Sequence, residues 1–180
     1  MITRKAFAAA QQRAAEMIRQ AGVLITDEEQ HRIEVADYSL DHLEQEGAEI
    51  LTLIETERIG VRIIVLFPHQ TLPEHWHPPV GVDPGKEESF RLVAGTLYLY
   101  VPGPDTLKQG HIPEGKDAYY TVRHEIVLHP AGQYTVKPGD KHWFQAGSEG
   151  AVMYTYATCT RDGLDGFSDP QGKRMTVFAD

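Results

Sequence analysis

Of its 180 residues the chain spends one on cysteine, Cys159. A lone cysteine forms no internal bridge. With no secretory signal at the amino terminus, it predicts a reducing, cytoplasmic setting and a small packing side chain at that position. Long apolar runs are also missing: none approaches the roughly 18 residues that would span a bilayer, which excludes a helical membrane anchor. Basic residues are scarce relative to acidic ones, 17 against 26, for a formal charge of −9. Binding a phosphate backbone needs basic patches, so nucleic acid is excluded as a partner. No glycine spacing suits a phosphate cradle; Gly81, Gly85, Gly103, Gly110 and Gly115 read as turn punctuation, which argues against a nucleotide cofactor.

What is present divides the chain in three. Residues 1–48 read as a helical cover. Thr3 is placed to cap a helix running to Ala21, with Phe7, Ala10, Ala14, Met17, Ile18 and Ala21 at helical spacing and Gly22 as the stop. Thr26 and Glu29 fit the capping box of a second, short helix. This region is expected to cover an open barrel edge. From 49 to 158, short β-rich runs alternate with Pro, Gly and charged turns: Ile50–Glu55, Arg62–Phe67, Ser89–Val93, Thr96–Val101, Ala118–Val122, Glu125–Leu128, Gln133–Val136, His142–Ala146 and Ala151–Ala157. Strands at this spacing without long helices between them predict a mainly β, antiparallel barrel in a single domain. Residues 159–180, polar and Gly-rich, are expected to return over that barrel.

The chemistry gathers at His75-Trp76-His77, Glu88 and His142. On a strand, residues i and i+2 face the same way, so His75 and His77 can aim two imidazoles at one point. Glu88 follows eleven residues after His77, ahead of a predicted strand, and His142 opens another after Pro138-Gly139-Asp140. Three neutral nitrogens and one carboxylate suit a single divalent ion, Mn, Fe, Co, Ni or Zn. A His-x-His alone is common by chance; the conjunction of four groups in an all-β chain carries the expectation. His69, His111, His124 and His129 are expected to stay outside it.

These residues resemble the two cupin motifs, His75-x-His77 with Glu88 and Gly95 in the first, and Gly132, Pro138-Gly139 and His142 in the second. The stretch between His77 and Glu88 is longer than in most cupins. His69 stands where the first motif usually has glycine, and the step from Pro138 to His142 is one short. Pro73-Glu74-His75-Trp76-His77-Pro78-Pro79-Val80, Gly85-Lys86-Glu87-Glu88-Ser89-Phe90-Arg91 and Lys141-His142-Trp143-Phe144-Gln145-Ala146-Gly147 resemble the D-lyxose ketol-isomerase family. The likeness extends to Gly22–Glu29 and to Phe167-Ser168-Asp169-Pro170. It implies a jelly-roll cupin barrel, Mn(II) on His75, His77, Glu88 and His142, and interconversion of D-lyxose with D-xylulose and of D-mannose with D-fructose. A monosaccharide is then the expected partner.

Such isomerisation moves a proton between C1 and C2, so a shuttling group is required, its pKa drawn toward neutrality by a dry pocket. Lys86, two residues before Glu88, is expected on the same face, and Glu74 is expected to enter the pocket if Pro73 bends the chain. Glu87 and Trp76 alternate away, and Tyr98, Tyr100, Tyr134 and Phe144 read chiefly as core. The last predicted strand, Val152–Tyr156, lacks the acidic residue that the family pattern places there. Two other readings therefore stay open, a cupin dioxygenase using iron or nickel and a non-catalytic sugar- or metal-sensing cupin, since fold alone does not choose. A symmetric homodimer is expected from the frequency of such assemblies.

Overall fold

The computed structural model describes residues 1–179. Helix α1, Arg4–Gln20, begins where expected: the Thr3 hydroxyl accepts from the Ala6 amide, and Gly22 leaves the helix at φ +81°. Helix α2, Asp27–His31, carries the full capping box between Thr26 and Glu29. The strands are β1 Glu34–Ala36, β2 Ala48–Glu55, β3 Ile59–Leu66, β4 Thr71–Trp76, β5 Glu88–Val101, β6 His124–Leu128, β7 Gln133–Val136, β8 His142–Thr158 and β9 Gly166–Phe167. All pair antiparallel in one curled sheet ordered β1-β2-β3-β8-β4-β9, with β5 pairing β6, β7 and β8. This is the cupin barrel that the motifs implied.

Two strands are longer than the sequence pattern suggested. The runs Ser89–Val93 and Thr96–Val101 are one strand, β5, and His142–Ala146 and Ala151–Ala157 are one strand, β8. Glycine marks bends here, not breaks. Gly95, at φ +82°, lies so near the Gly150 carbonyl that a Cβ would stand 2.0 Å from its oxygen, and the β5–β8 register shifts on either side of it. A bulge of this kind bends a strand and closes a barrel. The bend lets the first half of β8 pair with β4 and its second half with β3.

Alternation along the strands builds two cores. Inward residues Ile50, Ile64, Leu72, Phe90, Leu92, Leu97, Leu99, Phe144 and Met153 fill the barrel. Outward residues Val35, Leu51, Ile63, Val65 and Val152 meet Ala10, Ala14, Ala15 and Ile18 of α1. The helix thus covers a sheet face, not the barrel edge expected of it, and the edge of β2 is paired by β1 instead. The sheet also extends beyond 49–158 at both ends, through β1 and β9. Ala118–Val122 is not a strand. It contains part of a 3₁₀ turn, Asp117–Tyr119, and side chains take its polar groups: Tyr120 donates to Glu46, the Thr121 and Val122 amides donate to Glu74, and Trp143 Nε1 donates to the Val122 carbonyl.

Candidate metal centre

Register brings the histidines together. His75 on β4 pairs directly with His142 at the start of β8, and their ring centroids stand 4.2 Å apart. His77 lies just past β4, its ring 5.2 Å from that of His75 and 5.1 Å from that of His142. One nitrogen from each of the three lies within 4.8 Å of the other two, and all three side chains are buried. Among the described residues no second group of three His, Cys, Asp or Glu is arranged this way. Glu88, opening β5, brings Oε2 to 3.2 Å from His77 Nε2.

Hydrogen bonds at the far side of each ring fix which nitrogen is free. His75 Nδ1 lies 2.9 Å from the Pro73 carbonyl, His142 Nδ1 3.0 Å from the Asp140 carbonyl, and His77 Nδ1 2.9 Å from Asp165 Oδ1. These oxygens only accept, so each Nδ1 carries a proton, and the Nε2 atoms of His75 and His142 keep their lone pairs. His77 Nε2 instead faces Glu88, and against the opposing effect of burial the carboxylates on both sides raise the pKa of His77. Burial pushes His142 down to about 3 and holds His75 well below the usual imidazole range, which keeps both neutral. His142 Nε2 is buried with no hydrogen-bond partner. An orphaned buried acceptor costs on the order of 1–3 kcal/mol, and a cation shared with the neighbouring rings would relieve it. The Nε2 atoms of His75 and His142, that of His77 once its second proton is released to solvent, and a carboxylate make a donor set that fits a first-row divalent ion.

The long stretch from His77 to Glu88 closes on itself. Val80 and Asp83 bridge, Asp83 Oδ1 accepts from the Gly85 amide at 2.9 Å, and the Gly139 amide donates to the His77 carbonyl at 3.1 Å. Gly85 sits at φ +110° with the His77 carbonyl oxygen 2.4 Å from where a Cβ would lie, so only glycine lets the loop approach the ligand's backbone.

Beside the histidines lies a small, narrow cavity. Apolar walls come from Ile50, Ile64, Leu72, Phe90, Phe144 and Phe167. Its polar lining is His75, Glu88, Lys86, Asp162, Asp165, Arg62, Arg174 and Tyr38. Lys86 enters as its spacing from Glu88 predicted, with Nζ 3.3 Å from Glu88 Oε2 and 3.6 Å from Asp162 Oδ1. The expectation of a pKa drawn toward neutrality is overturned for this lysine. Burial alone would lower it, but the negative charges of Glu88, Asp165 and Asp162 outweigh burial and raise it, so Lys86 stays an ammonium. Burial likewise opposes the ionised form of Glu88 and Asp162. Lys86 and His77 hold Glu88 well below the carboxylate range, and Lys86, Arg62 and Arg174 lower Asp162.

The structure does not bring Glu74 to this cavity. The chain is irregular between Leu72 and His75, both of which line the cavity, but the irregularity leaves Glu74 on the other side. The carboxylate points outward, buried, and accepts from the Thr121 amide and hydroxyl, the Val122 amide and the Ser168 hydroxyl, with Lys141 Nζ at 3.4 Å. Glu74 fastens the β5–β6 connection and the C-terminal segment to β4. Tyr100 stacks on Trp143 away from the cavity, whereas Phe144 reaches its wall. His69, His111 and His129 are exposed and, with half-buried His124, stay outside the cluster. The sequence reading missed Arg62, Asp162, Asp165 and Arg174. Asp162, Asp165 and Arg174 lie in the polar tail, where no periodicity marks a residue as facing inward.

Fold and site together define a cupin-type protein, a barrel with an imidazole cluster at a polar cavity. No family model matches the chain. It is 50% identical over 170 residues to the D-lyxose ketol-isomerase of Cohnella laeviribosi, covering 94% of this chain and 93% of that one. It is 46% identical to the D-lyxose ketol-isomerase of a Thermofilum species, over 97% and 98% of the two chains, and 45% identical to the D-lyxose/D-mannose isomerase of Thermosediminibacter oceani, over 94% of each. Among solved structures, the L-ribose isomerase of Cellulomonas parahominis with L-ribose superposes at a TM-score of 0.79 over 98% of both chains, at 14% identity, which shows a shared fold. The chain belongs to the D-lyxose ketol-isomerase family of aldose–ketose isomerases.

Proposed function

We propose that the protein interconverts D-lyxose with D-xylulose and D-mannose with D-fructose, using one divalent ion, Mn(II) by preference, on His75, His77, Glu88 and His142. The observation that carries this reading is the convergence of the three buried imidazoles of His75, His77 and His142 beside a polar cavity, in a chain whose curated relatives are named for these sugars. An ion bound there supplies Lewis acidity toward the sugar oxygens at C1 and C2.

The chain's own residues do the rest. Lys86, kept as an ammonium within the cavity, offsets negative charge as it develops on a sugar oxygen and holds a proton beside it. Proton movement between C1 and C2 needs a carboxylate within reach. Glu88 and Asp165 are engaged with His77, which leaves Asp162. Its Oδ2 is fixed by Arg62 Nη1 at 2.6 Å, and its Oδ1, buried without a hydrogen-bond partner, faces Lys86. The cations around Asp162 hold it below the usual carboxylate range against the opposing effect of burial, which keeps it ionised and makes it a weaker base. We assign it the acid's place that the last barrel strand leaves vacant. This reading places the enzyme in the cytoplasm as a homodimer. Light scattering at 20.2 kDa, the mass of a single chain, would refute the dimer.

Turnover of D-lyxose in D₂O, followed by NMR, tests the chemistry. The reading expects D-xylulose carrying deuterium at C1. Ketose without deuterium would point to an internal hydride shift, and no ketose at all would refute the isomerase.

A further inference from the structure

The three imidazoles are not held alike. His75 and His142 each donate Nδ1–H to the carbonyl two residues earlier in their own segment, Pro73 and Asp140. Those contacts form with the local backbone and need nothing else in place. His77 stands beyond the end of β4, and its acceptor is a carboxylate 88 residues away, Asp165. Asp165 and the His77 ring are both buried in their contact, at 8% and 2% side-chain exposure.

Asp165 belongs to the C-terminal return, between the 3₁₀ turn Asp162–Leu164 and β9. Its neighbours seat it on β4. Phe167 pairs with His75 and Gly166 with Trp76. Gly166 lies so close to the Trp76 ring that a Cβ would stand 2.3 Å from it. Ser168 donates to the Glu74 side chain and Asp169 pairs with Lys116. Strand β9 has only two residues, so the seating of Asp165 rests on a few short contacts at the rim of the barrel.

We propose that Asp165 is a positioning residue of the metal centre: it holds His77 with Nε2 toward the ion and ties metal affinity to the seating of the C-terminal return. The inference rests on the metal reading above. An anionic acceptor strengthens the imidazole as a donor to a metal as well as orienting it, which a carbonyl does less. Coupling of this kind is reciprocal, so a bound ion must also hold the return in place.

The test uses the full chain and Mn(II) alone. Metal-stripped wild type, Asp165→Ala, Asp165→Asn and Ser168→Ala are titrated with Mn(II), free ion being read by EPR. Amide exchange is followed across residues 160–168 with and without the ion. The expected result is about 10–100-fold weaker binding for Asp165→Ala, the range for loss of a carboxylate behind a ligating histidine. Asp165→Asn, which keeps an acceptor without its charge, should fall between. Ser168→Ala, which removes one side-chain bond but leaves the return seated through the β9 pairing and the Ser168 amide's bond to the Glu74 carbonyl, should stay within about twofold, a change of roughly 0.4 kcal/mol. Mn(II) should slow exchange in the return of wild type and not in that of Asp165→Ala. Wild-type affinity in Asp165→Ala, or an equal loss in Ser168→Ala, overturns the inference and leaves the metal centre standing. Should Asp165→Ala not fold, unchanged affinity in Asp165→Asn overturns it. A wild type that binds no Mn(II), Co(II) or Zn(II) defeats the metal reading itself, and the inference with it.

Discussion

Glu49 offers a prediction about stability whose size follows from its surroundings. On β2, opposite Val35 and Val65, its side chain is sealed from solvent. Oε2 has no hydrogen-bond partner, and Oε1 has only a long contact, 3.4 Å, from Gln70 Nε2. Gln70 is committed elsewhere, donating to the Leu43 carbonyl at 2.6 Å and accepting from the Phe67 amide at 2.8 Å. Burial therefore raises this carboxyl well above its usual range, against a smaller opposing effect of Gln70. The sign follows from linkage. An acid whose folded pKa is raised contributes stability that is complete below the unfolded value, about 4.3, and is lost as pH rises through the folded value. Within that window wild type loses about 1.4 kcal/mol per pH unit from this group alone. Glu49→Gln keeps the shape and removes the titration. Its amide has an unmade hydrogen bond of its own, costing on the order of 1–3 kcal/mol at every pH. The diagnostic quantity is therefore the slope of the difference between the two proteins, not its value at one pH. Urea unfolding from pH 4 to pH 9 should show Glu49→Gln gaining on wild type as pH rises above the unfolded value, until the folded value is passed. A difference flat across that range would refute the reasoning, because it would mean that Glu49 titrates alike in the folded and unfolded chain.

Other outcomes follow from single contacts. Gly95→Ala forces an L side chain to φ +82° and into the Gly150 carbonyl, where the neighbour is backbone and cannot swing away. Backbone strain of about 1–3 kcal/mol is then a lower bound on its cost, and thermal melting should show a drop of several degrees or no folded protein. Glu74→Ala should cost roughly 3 kcal/mol by stranding the Thr121 and Val122 amides and Lys141, while Mn(II) still binds one per chain; loss of metal with fold intact would place Glu74 in the site after all. Lys86→Met should lower kcat by about 100-fold at saturating sugar, and unchanged kcat would remove Lys86 from the reaction.

Where the sequence spoke locally it was legible. The Thr3 cap, the Thr26–Glu29 box and the face of α1 depend on residues three or four apart, and the structure has all three. The histidine cluster was legible for a related reason: i and i+2 on a strand must share a face, and the later histidine fell where a strand opens. Glu74 alternates with its neighbour His75 and so faces outward, although the strand is irregular just before the pair. The bends of β5 and β8 were read as breaks because glycine signals both, and only the opposing backbone at Gly95 and Gly150 distinguishes them. Asp162 and Asp165 were illegible because their partners, Arg62, Lys86 and His77, lie far away in the chain and only folding brings them close.

The central claim is that a divalent ion on the histidine cluster makes this barrel an aldose–ketose isomerase. Metal-stripped protein incubated with D-lyxose or D-mannose, with and without Mn(II), tests it most directly when ketose is measured in wild type and His142→Ala. The account predicts Mn-dependent D-xylulose or D-fructose in wild type and none in the variant. Ketose formed at the same rate without any divalent ion, or equally by His142→Ala, would contradict it.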